Sequence, residues 1–269
     1  MLLDNDFLKM CAEVYLAQIA RGEHVSDYLV YPRSFPEGCK IISLCGGATR
    51  FSGILGAAAE AVKFGYKPHI ILGVSAGAIG ALPLALGLFD DIREEGDNLT
   101  PSKFFVKGKH PVGKKGNPMV ASFFRILGGA ISLGEQDVRP LLRGIITEAL
   151  WKEYLEGDYA DVVVFSVEGE SGAIQHHHLK ECKTREKAFE KICASSRISP
   201  IVQPMYTENI NGVVKGQVDG GFRVHNGAGY FLRKYAKLNV SDLFSVYSRP
   251  ENYNVIDKDW NKNIFNVTA

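Results

Sequence analysis

The feature that most constrains this chain is a serine framed by glycines where one apolar run gives way to another, Gly73-Val74-Ser75-Ala76-Gly77. The run from Pro68 to Val74 reads as a buried strand, and the residues from Ala76 onward read as an apolar helix. A serine at such a junction is lifted above the sheet on a tight, strained turn. Side chains two positions before and after it would collide with each other and with the serine, so both positions are glycine. The helix that follows also aims its N-terminal amides and positive dipole end at the same place. The competing reading is a tight turn in which the serine only caps a helix.

The surrounding pattern is strand, helix, strand, helix. Lys40 to Cys45 reads as a short buried strand, Gly46 to Arg50 as a loop with little side-chain bulk, and Gly53 to Phe64 as a helix closed by Gly65. This alternation with short loops predicts an α/β fold with a parallel sheet and covering helices. Residues 91–118 are charged and rich in Gly, Pro and Lys, without a period, and read as a lid or mobile loop. Helical patterning returns near Pro118 to Ile131 and Gln136 to Leu155. Asp161 to Val167 reads as a buried strand, with Ala173 to Leu179 as a candidate partner, and Arg185 to Ser195 reads as a helix. Gly212 to Val218 reads as a strand running into Asp219-Gly220-Gly221. A helix near Gly229 to Leu238, a strand near Leu243 to Ser248 and a polar tail over 251–269 complete the reading.

An ordinary α/β hydrolase would carry several strands before the serine, then an acid and a histidine after it. Here one strand precedes the strand that ends at Ser75, and the histidine beyond Asp219 is His225, six residues on. That arrangement disfavours the ordinary type.

Global properties exclude several other classes. A formal net charge of +1 offers no concentrated basic surface for nucleic acid. The five cysteines, Cys11, Cys39, Cys45, Cys182 and Cys193, are odd in number and scattered, which fits a reduced intracellular setting without a disulfide framework. Cys45 and Cys193 read as core filler. The first residues, from Leu3 to Ile19, read as an amphipathic helix rather than a signal peptide, and no apolar run is long enough for a spanning helix. His176-His177-His178 would point to alternate faces of a strand and has no acidic or cysteine cluster to complete a metal site. The loop after the first strand lacks the lysine and hydroxyl of a phosphate loop and the glycine spacing of a dinucleotide site. Lys103, Lys107, Lys109, Lys114 and Lys115 lie among Phe104, Phe105, Phe123 and Phe124. This segment reads first as a solvated loop before a buried helix, and alternatively as a contact with an anionic membrane surface.

Three segments together resemble the patatin-like phospholipase family. Gly46, Gly47, Arg50 and Gly56 match its glycine-rich loop and following helix, Gly73 to Ala78 its nucleophile elbow, and Val218-Asp219-Gly220-Gly221 its catalytic aspartate motif. Ala194-Ser195-Ser196 with Pro200 is similar to its small-residue segment, and Asn226 stands where the family often has asparagine. The resemblance covers about residues 38–250. Ala48 and Phe51 depart from the pattern, since the family usually has glycine at both.

The resemblance implies a three-layer α/β/α fold with a mostly parallel central sheet. The chain would form a single domain, with an N-terminal helix and linker over 1–37 and a C-terminal tail over 251–269. It implies a lipid acyl hydrolase in which Ser75 is the nucleophile and Asp219 the base, without a histidine, metal or cofactor. The amides of Gly46, Gly47 and Ala48 would form the oxyanion hole. Gly73 and Gly77 would shape the elbow, and Gly220 and Gly221 would let the backbone curl around the carboxylate. Arg50 would fix the loop or favour an anionic head group, against a surface ion pair as the plainer role. The expected substrate is a membrane phospholipid or another acyl-ester lipid, met by a cytoplasmic protein at a membrane periphery, with room for a protein activator. An acyltransferase or thioesterase using the same dyad, and a catalytically weak lipid-binding regulatory module, remain open.

Overall fold

The computed structural model describes residues 29–47, 50–97, 105–106, 135–198, 204–248 and 263–268. The chain opens with β1 (Cys39–Leu44), α1 (Phe51–Lys63), β2 (Ile70–Val74), α2 (Ala76–Ala85) and α3 (Phe89–Asp97). A separate antiparallel pair joins β3 (Phe105–Val106) to β4 (Glu135–Gln136). Next come α4 (Arg139–Ile145), α5 (Glu148–Glu156), β5 (Asp161–Glu168), β6 (Ile174–His178) and α6 (Arg185–Ser195). The described chain ends with β7 (Met205–Glu208), β8 (Val214–Asp219), α7 (Gly227–Lys234), β9 (Val240–Tyr247) and β10 (Asn263–Thr268).

The main sheet runs β10-β9-β1-β2-β5-β8-β7, with β6 as an eighth strand against β5. β10, β9, β1, β2 and β5 are mutually parallel, whereas β6, β8 and β7 join by antiparallel pairing. The expected mostly parallel sheet with helices on both faces is what forms.

The central strands β1, β2 and β5 are buried on both faces, so they read as nearly continuous apolar runs. Period-two alternation then assigns each side chain to one of two cores. Ile42, Leu44, Ile71, Val162 and Val164 face one layer, built from α1, α2, α3, α4, α5 and α6. Ile41, Ile70, Leu72, Val74, Val163 and Phe165 face the other, where Ala228 and Phe231 of α7 pack with Tyr31 and Tyr235. α2 is apolar around its whole circumference and is buried from Ala76 to Leu84, as a helix sandwiched inside the first layer must be.

The register around β5 places the functional end. One edge of β5 pairs with β6 over Val163–Val167. β2 therefore occupies the other edge, from Asp161 to Phe165, and ends there with Val74 opposite Phe165. From Ser166 onward that same edge is taken by β8, with Ser166 opposite Asp219. β8 runs antiparallel to β5, so the C-terminal ends of β2 and β8 meet head to head at the Phe165–Ser166 step.

Several expectations need correction. The start of the irregular stretch is helix α3: Phe89 and Ile92 are buried at helical spacing, and Asp90 and Asp91 in the first turn suit the helix dipole. The helical patterning near Gln136 to Leu155 forms as two helices after Gln136, which lies in β4, and Thr147 caps α5 by accepting from the Leu150 amide at 3.2 Å. Part of the polar tail is strand β10, an edge strand whose backbone pairs with β9. β7 carries exposed Tyr206 and Glu208 alternating with buried Met205 and Thr207, the pattern of an edge strand with one wet face. The N-terminal helix, the lysine–phenylalanine stretch apart from the backbone of Phe105, the helix near 118–131 and Pro200 lie outside the described residues.

Candidate active site

The head-to-head meeting of β2 and β8 brings Ser75 Oγ to 2.5 Å from Asp219 Oδ2, as donor and acceptor. Both residues are buried, at 8% and 5% exposure, so little bulk water reaches the pair in this state. Ser75 has φ +54° and ψ −119°, and it is the non-glycine residue with positive φ among those described. An L-residue held there costs roughly 1–3 kcal/mol, which the surroundings must supply.

Those surroundings are close-packed backbone. A Cβ at Gly73 would lie 2.7 Å from Ala78 Cα, and one at Gly77 would lie 2.5 Å from the Leu44 carbonyl oxygen. The glycines are therefore needed for the close passage of α2 over its own turn and over the end of β1. The expected clash of the two side chains with each other is not the main restriction. Gly46 completes the floor, where a Cβ would sit 3.3 Å from Ser75 Cβ.

Asp219 is the more unusual member. Burial raises its carboxyl from the ordinary value to about 6, against opposing hydrogen bonds from the Ser75 hydroxyl and the Gly221 amide. The Gly221 N–H donates to Oδ1 at 2.6 Å, so one carboxylate oxygen is held by backbone while the other faces the serine. Gly220 lies against the Phe165 carbonyl so closely that any Cβ would overlap it. A carboxylate tuned toward neutrality beside a hydroxyl is suited to accept that hydroxyl's proton.

The glycine-rich loop departs from expectation at its first donor. Gly46 N–H donates to the His225 carbonyl at 3.1 Å, because a buried amide must find a partner within the fold. It is thus committed to another oxygen rather than aimed at an incoming substrate. Gly47 packs against Ile54 and Ser248, and its carbonyl accepts from the Arg50 amide at 2.9 Å. Ala48 and Thr49 lie outside the described residues. Arg50 donates through its guanidinium to the Ser248 carbonyl, just past the end of β9. Phe51 packs on the main apolar cluster.

Two contacts from the end of α6 were not legible as such in the sequence. Ser195 Oγ accepts from the Ser75 amide at 3.0 Å and donates to the Phe165 carbonyl at 2.5 Å. The Arg197 carbonyl accepts from the Asp219 amide at 2.7 Å. The run Ala194-Ser195-Ser196 hinted at close packing, but no spacing rule names which hydroxyl turns inward. Asn226, four residues after Phe222, caps α7 by accepting from Ala228 N–H at 3.0 Å and also accepts from Ser43 Oγ at 2.7 Å.

The histidine triplet alternates faces as expected. His177 Nε2 lies 2.9 Å from Ser166 Oγ, while His176 and His178 approach the Tyr235 hydroxyl at 3.2 and 2.7 Å on the opposite side. Burial lowers all three below the ordinary histidine value, His176 to about 4. Among the described residues no cluster of His, Cys, Asp or Glu could hold a metal ion. Among the described residues Cys39, Cys45, Cys182 and Cys193 form no disulfide. No helix among the described residues is long and apolar enough to cross a membrane.

The sequence matches the family model described as Patatin-like phospholipase over residues 42–232, most of the chain and all of the site. No curated protein matches it. Among solved structures, VipD from Legionella pneumophila is similar at 16% identity and a TM-score of 0.43, over 79% of this chain and 50% of that one. The chain thus spans about half the length of that solved chain.

Proposed function

This chain belongs to the patatin-like phospholipase family, and on that premise we propose that it is a lipid acyl hydrolase working through a Ser75–Asp219 dyad. The observation that carries the reading is the 2.5 Å contact between a hydroxyl on a strained strand-to-helix turn and a buried carboxylate raised to about 6.

In this reading Asp219 Oδ2 takes the Ser75 proton as Oγ attacks the carbonyl carbon of a fatty-acyl ester. The tetrahedral intermediate collapses, the ester C–O bond breaks, and Asp219 returns the proton to the departing alcohol. Water then enters, gives a proton to Asp219 and adds to the acyl-Ser75 carbonyl. Release of the fatty acid restores the Ser75 hydroxyl. Charge on the carbonyl oxygen is stabilised by amides of the loop beside Ser75, with Gly47 and Ala48 as the proposed donors. Gly46 serves as such a donor only if its bond to His225 is exchanged. Loss of one such donor typically lowers the rate about a hundredfold or more. The substrate class is a phospholipid or a related acyl ester, met at the surface of a lipid aggregate.

The test is fatty-acid release from phosphatidylcholine vesicles and mixed micelles by the wild type, Ser75→Ala and Asp219→Asn, with labelling by a fluorophosphonate probe in parallel. Release and labelling by the wild type, lost in both variants, is the expected outcome. Equal release by all three proteins would sink the reading.

A further inference from the structure

We propose that Ser195 is a positioning residue for the Ser75–Asp219 pair, its hydroxyl acting as a strut between the strained turn and the strand where the two partners meet. The inference rests on the dyad reading and adds a residue to it.

The polarity of the strut is determined by proton count. A serine hydroxyl carries one proton. Ser195 spends it on the Phe165 carbonyl at 2.5 Å, so toward Ser75 it can only accept, and it does so from the amide at 3.0 Å. That amide belongs to a residue with φ +54° at the N-cap of a helix, where the amide has no acceptor within the helix. Ser195 has no exposed surface, and water has no ready route to replace it.

The choice of Phe165 as the other end is what gives the strut a catalytic consequence. Phe165 is the last residue of β5 that pairs with β2, opposite Val74. The next residue, Ser166, pairs with Asp219. Gly220, directly after the carboxylate, packs on the same Phe165 carbonyl. One oxygen of β5 therefore sits at the joint between the serine strand and the aspartate strand, and Ser195 ties the serine to it. Two residues further along, the Arg197 carbonyl holds the Asp219 amide at 2.7 Å. The end of α6 thus grips both partners by their backbones, and a shift of its last turn changes the distance across which the proton moves.

The test uses the full chain and p-nitrophenyl butyrate, with enzyme concentration set by fluorophosphonate titration and folding followed by thermal melts. Ser195→Cys keeps a side-chain γ atom, somewhat larger and a poor donor and acceptor, and Ser195→Ala removes the bonds outright with little change in volume. Ser75→Ala is the control for the dyad. In Ser195→Cys we expect kcat to fall about tenfold or more with KM little changed, since small misplacement of reacting groups is costly in rate. The acid limb of the pH–rate profile should move to higher pH, because the Ser75 hydroxyl bond that holds Asp219 down is weakened. A purely structural role would lower the melting temperature and leave kcat and the acid limb in place. A folded Ser195→Cys variant with wild-type kcat and acid limb, beside a silent Ser75→Ala, would overturn this inference alone, even if Ser195→Ala does not fold. Full activity in Ser75→Ala would overturn the dyad reading and this inference together.

Discussion

Ser75 Oγ donates to Asp219 Oδ2 at 2.5 Å although 144 residues separate them in the chain. The contact follows from two strands ending against each other along one edge of β5, at Val74–Phe165 and Asp219–Ser166. Neither side chain needs to reach across the sheet, because the backbone delivers both to the same step.

Removing the proposed base while keeping its shape should separate chemistry from folding. Asp219→Asn is expected to lower kcat on p-nitrophenyl butyrate by about 10²–10⁴, the range for a positioned general base. KM should change far less. Steady-state kinetics on the folded variant checks this, and a loss confined to KM would contradict the base role.

The same carboxylate gives the rate a definite pH dependence. In the proposed mechanism Asp219 works ionised and its carboxyl in the free protein is raised to about 6, so kcat/KM should fall as pH drops through that value, with a limb near 6 rather than near 4. A pH–rate profile with buffer controls measures it. An acid limb at the ordinary carboxylate value would place the essential group elsewhere.

Stability should move in the opposite sense. A carboxyl with a folded value near 6 and an unfolded value near 3.8 binds its proton more tightly when folded. Its contribution is therefore present below about 3.8 and is lost as pH rises toward 6, leaving an ionised buried group that costs on the order of 2–3 kcal/mol at neutral pH. Asp219→Asn should melt several degrees above the wild type at pH 8, with the difference shrinking as pH falls through 5. Thermal melts at several pH values test this, and a variant less stable at every pH would contradict it. A gain in stability with a loss of activity is the usual mark of a strained functional site.

Glycines flanking Ser75 and Asp219 should behave unlike Gly56. Gly77→Ala drives a methyl to 2.5 Å from the Leu44 carbonyl oxygen, and Gly220→Ala drives one into the Phe165 carbonyl. Each should destabilise by about 1–3 kcal/mol or more, with matching loss of activity. Gly56 lies within α1 with open space around a Cβ, so Gly56→Ala should stabilise by roughly 0.5–1 kcal/mol. Denaturant melts of the three variants decide it.

Arg50 is the test of loop positioning against head-group choice. Its guanidinium is bonded to the Ser248 carbonyl. Arg50→Ala is therefore expected to slow hydrolysis of p-nitrophenyl butyrate and of anionic and zwitterionic phospholipid by similar factors. A loss restricted to anionic phospholipid would assign the residue to head-group recognition instead.

Much of this was legible in the chain itself. Buried runs such as Ile70–Val74 and Asp161–Glu168 show a strand beneath two cover layers, because local apolar content and turn chemistry are properties of neighbouring residues. The glycine frames of Ser75 and Asp219 are likewise local, since each marks a place where backbone must pass close. α3 is hard to read because its charged residues outnumber Phe89 and Ile92, the two that pack, and β10 because its pairing with β9 is invisible to a window of neighbouring residues.

What the chain could not declare was which groups face one another. Sequence order determined a serine at a strained turn, an aspartate before two glycines, and an alternation of strands and helices. Only the tertiary structure decided that the Gly46 amide is used by His225, that Ser195 turns inward to the Ser75 amide, and that Asp219 is buried enough to sit near 6. The reason is physical: propensity and turn geometry act over a few residues, whereas desolvation and hydrogen-bond pairing depend on whatever distant segment the folded sheet brings alongside.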